Sequence, residues 1–311
     1  MEFVYIILGL LLLILGGNWL LKSAVGLSLK LNIPKIIIGM TVVSFATSAP
    51  ELIVSIKSAL DGFPDLSLGN VVGSNIANLA LVLGITIVLS KIDIEKSFYQ
   101  INWPVMMVAS LMLYMFLYND KVVSGSEGII MFSFLILFLI YLLKFQKQAV
   151  VDEVPDDDEA LPMLKIILFV VIGGVGLWAG SELLVSGAVG LAEDFGVSER
   201  IIGVTVVSIG TSIPELAASI IAVLKKEKAI SIGNLIGSNI FNILAVLGIT
   251  SMITPIKLED AELLNYDIYW MLGISFLILP LVFFPRKLRL DWKDGFILLA
   301  LYLIFIFTTV S

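Results

Sequence analysis

The chain has 311 residues, of which 59% are hydrophobic and 14% are charged, and its formal net charge is −7 at pH 7. With a mean hydropathy of +1.06, most of its surface is expected to face lipid, because a water-soluble domain of this length needs a more polar surface. Since the chain has no cysteine and no histidine, disulfides, Cys/His metal sites and imidazole-dependent catalytic dyads or triads are excluded.

Apolar segments long enough to cross a bilayer recur ten times along the chain. The first lacks a basic leader and a small-residue cleavage pattern, so we interpret it as the first span and not as a signal peptide. An even number of spans predicts that both termini lie on the same side of the membrane. In chain order the predicted spans are residues 3–21, 33–60, 66–90, 100–118, 124–145, 162–190, 198–224, 229–254, 265–285 and 293–310.

Basic residues are distributed unevenly over the connections between these spans. Under the positive-inside rule the richer set of connections faces the cytoplasm, which places both termini outside. The longest polar segment, residues 147–161, falls on the cytoplasmic side; it is acidic but lacks the spacing of an EF-hand loop, so we interpret it as a solvated linker. The basic set is Lys22, Lys30, Lys35, Lys91, Lys96, Lys144, Lys147, Lys165, Lys225, Lys226, Lys228, Arg286, Lys287, Arg289 and Lys293, and the opposite set is Lys121, Arg200 and Lys257.

Two blocks of sequence recur at one fixed offset of 164 residues. The block GMTVVSFATSAPELIVSI at residues 39–56 returns as GVTVVSIGTSIPELAASI at 203–220, with 12 of 18 positions identical. The block LGNVVGSNIANLALVLGIT at residues 68–86 returns as IGNLIGSNIFNILAVLGIT at 232–250, with 12 of 19 identical. A constant offset for both blocks indicates a duplicated unit.

The duplication predicts an all-α membrane protein of ten transmembrane helices in two repeats of five. Residues 1–146 form the first repeat, residues 147–161 the linker and residues 162–311 the second repeat. Because each repeat has an odd number of spans, the second copy enters the membrane from the opposite side. Such inverted repeats are typical of secondary transporters.

The second and third spans of each repeat carry stripes of oxygen-bearing side chains. Spacings of three and four residues place each stripe on one face of a helix. Ligand sets made only of oxygen suit hard cations such as Na⁺ and Ca²⁺. The stripes are Ser44, Thr47, Ser48, Glu51 and Ser55, copied as Ser208, Thr211, Ser212, Glu215 and Ser219, and Ser67, Asn70, Ser74 and Asn78, copied as Ser231, Asn234, Ser238 and Asn242.

Each repeat has one acidic residue near the middle of its second span, Glu51 or Glu215, with no lysine or arginine close enough in sequence to pair with it. A charge at that depth costs about 2.5–3.5 kcal/mol, and two carboxylates about 8 Å apart repel by roughly 2 kcal/mol. One divalent cation, two or three monovalent cations, or protons would offset both costs. Competition between these occupants is the physical basis of antiport.

Pro50 and Pro214 directly precede the two glutamates. Proline has no N–H for the carbonyl four residues earlier, and its ring pushes against that carbonyl. We therefore expect the helices to break at Ser44–Ala46 and at Ser208–Gly210, where freed carbonyls can coordinate a cation.

The third spans contain pairs of glycines four residues apart, which let helices approach closely. Helix packing is therefore their expected main role, with backbone approach to the site as a by-product. The pairs are Gly69 with Gly73 and Gly233 with Gly237.

The duplicated blocks resemble the paired alpha-repeats of the sodium/calcium exchanger group, in the calcium/cation antiporter superfamily, over both halves of the chain. The resemblance implies a prokaryotic plasma-membrane antiporter that binds Ca²⁺ and Na⁺ at a shared site and needs no cofactor. It also implies alternating access, with the first and sixth helices sliding past the others. The implied ion ligands are Thr47, Ser48, Glu51, Ser74, Asn78, Thr211, Ser212, Glu215, Ser238, Asn242 and the carbonyls of Ser44 and Ser208.

Two positions depart from the family pattern. Ala46 replaces the usual glycine of the first motif, and Asn242 stands where many characterised sodium/calcium exchangers carry aspartate. With at most two negative charges, the site neutralises one Ca²⁺ or holds three Na⁺ at net +1. Proton/calcium exchangers of the superfamily typically have a glutamate after the third-helix Gly-Asn, and its absence here favours sodium.

Other functions remain open at this point. A proton-coupled or potassium-assisted exchanger would use the same two glutamates. An ion channel is less consistent, because an occluded carboxylate pair binds ions tightly and passes them slowly. The lack of histidine excludes a rhomboid dyad or a zinc protease, and no paired aspartates support an aspartyl protease, so no enzyme is expected. The expected partners are Na⁺, Ca²⁺ and the lipid bilayer, not nucleic acid, with the monomer as the working unit.

Overall fold

The structure is a computed structural model that describes residues 2–145, 161–195, 210–285 and 287–310. In these ranges the chain is helical apart from short connections and four two-residue strands. The helices are α1 Glu2–Leu31, α2 Lys35–Thr47, α3 Ala49–Leu60, α4 Pro64–Leu89, α5 Phe98–Asp120, α6 Gly125–Phe145, α7 Met163–Asp194, α8 Ile213–Leu224, α9 Lys228–Ile253, α10 Leu263–Phe283 and α11 Trp292–Val310. The strands are β1 Ile92–Asp93, β2 Val122–Val123, β3 Ile256–Lys257 and β4 Arg289–Leu290.

The described residues contain eight helices that are long and apolar enough to cross a membrane. Together α2 and α3 make a ninth candidate span, bent by 44° between them. The prediction of an all-helical, multi-pass membrane protein is confirmed. The predicted seventh span, residues 198–224, is described only from residue 210, where it contains the 12-residue apolar helix α8. A total of ten spans therefore stays a prediction.

Five helices contain a π-helical turn within the described residues. Such turns hold one extra residue and are frequent at functional sites. Asn78 is the second residue of one turn, and its equivalent Asn242 is the first residue of another, so the third spans of both repeats contain a π-helical turn at positions that differ by one residue. The turns are Gly39–Val43, Ala77–Val82, Phe98–Asn102, Asn242–Leu247 and Leu263–Asp267.

The chain folds into two compact units that each draw on both predicted repeats. The first unit comprises Met1–Thr47 and Phe138–Leu235, and the second comprises Ser48–Leu137 and Ile236–Ser311. Inside the first unit α1 packs along α7 and also touches α8. Inside the second unit α4 packs against α3 and α11.

The backbones of α1 and α7 meet directly at four glycines. A Cβ added at Gly9 would lie 2.8 Å from the carbonyl oxygen of Gly180, and one added at Gly16 would lie 2.9 Å from that of Gly173. A Cβ added at Gly173 would lie 3.0 Å from the carbonyl oxygen of Gly16, and one added at Gly180 would lie 2.9 Å from that of Gly9. These distances leave no room for a side chain, so the two helices approach as closely as small-residue seams allow. We call these four residues the glycine seam.

The four short strands, all in the second unit, pair crosswise. β1 pairs with β4 and β2 pairs with β3, both antiparallel. β1 precedes α5 and β2 follows it, so these two strands lie at opposite ends of a 23-residue helix. Because β3 pairs with β2, it lies at the end of α5 away from β1. β1 and β3 occupy equivalent positions under the 164-residue offset.

Candidate ion-binding site

Glu51 and Glu215 each occupy the third position of a 12-residue helix, α3 and α8. The residues before these helices, Ser48 and Ser212, share one backbone conformation, with φ and ψ of −87° and 2° in the first and −90° and 2° in the second. Both glutamates are 0% exposed. The unpaired N–H groups and partial positive charge of a helix N-terminus favour a carboxylate in the first turn, which is where each half-helix places its buried glutamate.

The helix break before Glu51 is confirmed, but it lies later than predicted. The helix continues through Ser44–Thr47 and turns at Ser48, not at Ser44–Ala46. The reason is that Pro50 takes the second position of α3, where a helix does not use the missing N–H and the fixed φ is favourable. Of the second predicted break, only Gly210 lies within the described residues, and Ser208 lies outside them.

Ser48 and Glu51, like Ser212 and Glu215, have the S-x-x-E spacing of a helix capping box. In that purely structural arrangement, the serine side chain would accept a hydrogen bond from the first turn of its helix. Neither serine does so, and the Ser212 hydroxyl has no hydrogen-bond partner among the described residues. The serine half of a capping box is therefore not formed at either glutamate.

In the first unit, Asn234 links three polar segments of the chain. Its amide nitrogen donates to the Ser219 hydroxyl at 3.3 Å, and its amide oxygen accepts from the Thr47 hydroxyl at 3.3 Å. Its backbone carbonyl accepts from the Ser44 hydroxyl at 2.9 Å. The Ser44 carbonyl itself accepts from Thr47 at 3.3 Å within the helical segment, so its use as an ion ligand remains a prediction. The other predicted ligands in the described part of this unit are Thr211, Ser212 and Glu215.

In the second unit, α3, α4 and α9 contact one another. The amide of Asn70 donates to the Ser55 hydroxyl at 3.0 Å, which is the counterpart of the Asn234–Ser219 bond under the 164-residue offset. This contact holds α3, which carries Glu51, against α4. The predicted ligands on these three mutually packed helices and at the N-cap of α3 are all buried: Ser48, Glu51, Ser74, Asn78, Ser238 and Asn242.

Four buried asparagines, Asn75, Asn78, Asn239 and Asn242, form one network between α4 and α9. We call them the asparagine quartet. Asn75 and Asn239 donate to each other's backbone carbonyls at 3.2 and 3.4 Å. Asn242 donates to the amide oxygen of Asn75 at 3.2 Å, and Asn78 donates to that of Asn239 at 3.3 Å. Each bond has its counterpart in the other repeat.

The network determines which way each amide points. A backbone carbonyl can only accept, so Asn75 and Asn239 must direct their NH₂ groups at the carbonyls and their oxygens at Asn242 and Asn78. Asn242 and Asn78 must then present NH₂ groups to these oxygens. Their own amide oxygens are buried and receive no hydrogen bond from any described residue. Buried acceptors without donors are costly, and neutral amide oxygens are suitable ligands for Na⁺ or Ca²⁺.

Asn75 and Asn239 belong to this network, and the sequence analysis missed them. The helical stripe that connects Ser74 with Asn78 excludes Asn75, because adjacent residues face different directions. The available signal was the repeat itself, since both asparagines belong to the duplicated Gly-Ser-Asn segment.

The glycine prediction for the third spans is only partly right. Gly233 touches the backbone carbonyl of Ile36, so packing explains it. A Cβ added at Gly69 would make only an ordinary contact, 3.8 Å from the Leu263 side chain. A Cβ on Gly73 would meet no described atom within 4 Å, so the expected packing role for Gly73 is wrong within the described part of the chain.

Comparison with known proteins agrees with this geometry. The family model described as "Sodium/calcium exchanger protein" matches residues 1–144 and 165–310. CaxA of Alkalimonas amylolytica is 37% identical over 312 residues, covering 96% of each chain, and the sodium/calcium exchanger MaX1 of Methanosarcina acetivorans is 26% identical, covering 98% of this chain and 97% of its own. The solved structure of the sodium–calcium exchanger NCX_Mj has a TM-score of 0.83 at 28% identity, covering 99% of this chain and 98% of that one. The chain therefore belongs to the sodium/calcium exchanger family.

Proposed function

We propose that this protein is a secondary-active antiporter that exchanges Na⁺ for Ca²⁺ across the plasma membrane by alternating access. The observation that carries the proposal is the duplicated arrangement of a buried glutamate at the start of a half-helix, Glu51 in α3 and Glu215 in α8. Membership of the exchanger family supports the same conclusion. Na⁺ and Ca²⁺ are then substrates and not resident cofactors.

The architecture proposed for this activity is ten spans in two inverted repeats, residues 1–146 and 162–311, with a cytoplasmic linker at 147–161 and both termini outside. The crosswise strand pairing supports inversion, because the equivalent strands β1 and β3 lie at opposite ends of α5. The family model also matches in two segments whose bounds resemble those of the predicted repeats.

We further propose that both repeats contribute ligands to the transported ions. The amide oxygens of Asn78 and Asn242 support this, because they lack hydrogen-bond donors among the described residues. The full proposed set is Ser44, Thr47, Ser48, Glu51, Ser74, Asn78, Ser208, Thr211, Ser212, Glu215, Ser238 and Asn242.

Exchange in vesicles tests this function. In proteoliposomes loaded with Na⁺, an outward Na⁺ gradient is expected to drive Ca²⁺ uptake. Glu51→Gln and Glu215→Gln should abolish uptake, because each removes one of the two charges that bind Ca²⁺. Glu95→Gln is the matched control, since Glu95 is exposed in the connection before α5. Uptake that survives both site substitutions would overturn the proposal.

The same vesicles distinguish the alternative, a proton-coupled or potassium-assisted exchanger that uses the same glutamates. Asn242 is the reason to test this alternative, because a site with only two acids carries less negative charge than the sites of many characterised sodium/calcium exchangers. Uptake that follows a pH gradient and ignores Na⁺ would establish proton coupling. Uptake that requires K⁺ together with Na⁺ would establish potassium assistance.

A further inference from the structure

A cavity of about 420 Å³ lies in the first unit among α1, α7 and the connection between α8 and α9. None of the proposed ion ligands lines it. Its walls are largely apolar and include Leu21, Leu29 and Phe169. Three lysines also line it, one from each of these elements: Lys22, Lys165 and Lys225.

The three lysines give this cavity a net positive charge. The one acidic residue in its lining, Glu227, forms an ion pair with Lys35 at 2.9 Å, so its charge is already balanced. None of Lys22, Lys165 and Lys225 forms an ion pair with another residue in the described ranges, and all three are exposed. An anionic group in the cavity would therefore meet three available ammonium groups.

Helix length places the lysines near a membrane surface. Lys22 follows Glu2 by twenty residues in the continuous helix α1, which corresponds to about 30 Å, the thickness of the hydrocarbon core. With Glu2 at one surface, Lys22 reaches the other. Next to the cavity, Leu164 and Leu168 of α7 are 80% and 53% exposed, as expected for side chains that face lipid.

We propose that this cavity binds the phosphate-bearing headgroup of an anionic phospholipid, from the leaflet that the positive-inside rule identifies as cytoplasmic. The lysines would contact the phosphate, and the apolar wall would contact the first part of an acyl chain. Basic pockets between transmembrane helices recognise lipid headgroups in this way. The apolar wall and the exposed leucines favour a lipid over a soluble anion. Binding does not depend on the proposed ion exchange.

Lipid binding to the purified full chain tests the proposal. Fluorescent phosphatidylglycerol should bind more tightly than phosphatidylcholine in detergent micelles. Replacement of Lys22, Lys165 or Lys225 by glutamine should weaken phosphatidylglycerol binding about fivefold each, which is about 1 kcal/mol. The matched control is a triple variant, Lys96→Gln, Lys144→Gln and Lys287→Gln, which removes the same charge from exposed lysines of the same predicted face outside the cavity. The control should retain the wild-type affinity.

Three outcomes would overturn the proposal. Equal loss in the control triple variant and in the cavity triple variant Lys22→Gln, Lys165→Gln and Lys225→Gln would indicate general surface electrostatics. Equal affinity for both lipids would remove the role of headgroup charge, and displacement of the lipid by millimolar inorganic phosphate would indicate a free-anion site. Because Ca²⁺ uptake is measured separately, a failure here leaves the exchange assay as an independent test.

Discussion

At the residue scale, the asparagine quartet shows how backbone groups can orient a proposed ion ligand. The carbonyls of Asn75 and Asn239 fix the amides of those two residues, and these in turn fix the amides of Asn242 and Asn78. Without this chain of hydrogen bonds, the amides of Asn78 and Asn242 could turn their NH₂ groups toward the cation. The partial positive charge of an NH₂ group would then repel the cation. Asn75 and Asn239 are therefore positioning residues, and Asn78 and Asn242 are the proposed ligands.

Asn75→Ala and Asn239→Ala should each lower the free energy of unfolding by about 1–3 kcal/mol, because each leaves buried polar groups without partners. Each should also raise the Ca²⁺ concentration needed for half-maximal uptake, since one ligand amide becomes free to rotate. Thermal unfolding and vesicle uptake measure these effects.

The control for the quartet is Ser67→Ala. The Ser67 hydroxyl is buried and has no hydrogen-bond partner among the described residues, so its loss should leave stability nearly unchanged. If Asn75→Ala lowers the stability but leaves the Ca²⁺ dependence of uptake unchanged, the quartet is structural only.

At the element scale, α2 and α9 approach closely in the first unit through two glycines. A Cβ on Gly39 would lie 2.5 Å from the carbonyl oxygen of Ile230, and Gly233 lies in the same way against Ile36. These contacts leave no space for a methyl group between the two helices. The glycine positions thus determine how near the polar residues of α9, including Asn234, come to Ser44 and Thr47.

Gly39→Ala and Gly233→Ala should each destabilise the protein by about 1–3 kcal/mol, because the added methyl group meets backbone that cannot move aside. Gly73→Ala is the matched control in a third-span helix. It has open space around it in the described structure, so the higher helix propensity of alanine should leave stability unchanged or raise it by up to about 1 kcal/mol. Equal unfolding temperatures for all three variants would contradict the close approach.

The elements also show what sequence alone can predict. Pro50 correctly indicated that the second span is interrupted near Glu51, because the missing N–H is a local property. The equivalent break predicted from Pro214 stays a prediction, since the chain before residue 210 lies outside the described residues. The exact turn at Ser48 depends on where the next helix starts, which local spacing does not define. Asn75 was missed because its partner Asn239 lies 164 residues away, and helical periodicity contains no information about such a pair.

At the scale of the whole molecule, the sequence predicts which connections share a side of the membrane. The strand pairs are consistent with that prediction, since β1 and β4 belong to connections assigned to the cytoplasm, and β2 and β3 to connections assigned to the outside. The charge pattern predicts this sidedness because the positive-inside rule depends on the number of basic residues in a whole connection. It could not predict the pairing of strands, which depends on tertiary contacts.

The natural absence of cysteine makes this sidedness measurable without first removing any residue. Single substitutions Lys121→Cys and Lys257→Cys should react with a membrane-impermeant maleimide on intact cells, because both lie in connections predicted to be outside. Lys96→Cys and Lys287→Cys should react only after the membrane is opened. Labelling of all four variants on intact cells, or of only Lys96→Cys and Lys287→Cys, would contradict the predicted orientation.

The glycine seam has a consequence for the symmetry between α1 and α7. Under the 164-residue offset, Gly9 corresponds to Gly173 and Gly16 to Gly180. Gly9 lies against Gly180 and Gly16 against Gly173, so exchanging the two copies reproduces the same two contacts. This reciprocity is the signature of an isologous interface, the kind that two identical subunits form around a two-fold axis. The seam thus has the symmetry that two identical subunits would give it, and a larger residue at any of its four positions would meet the backbone of the other helix.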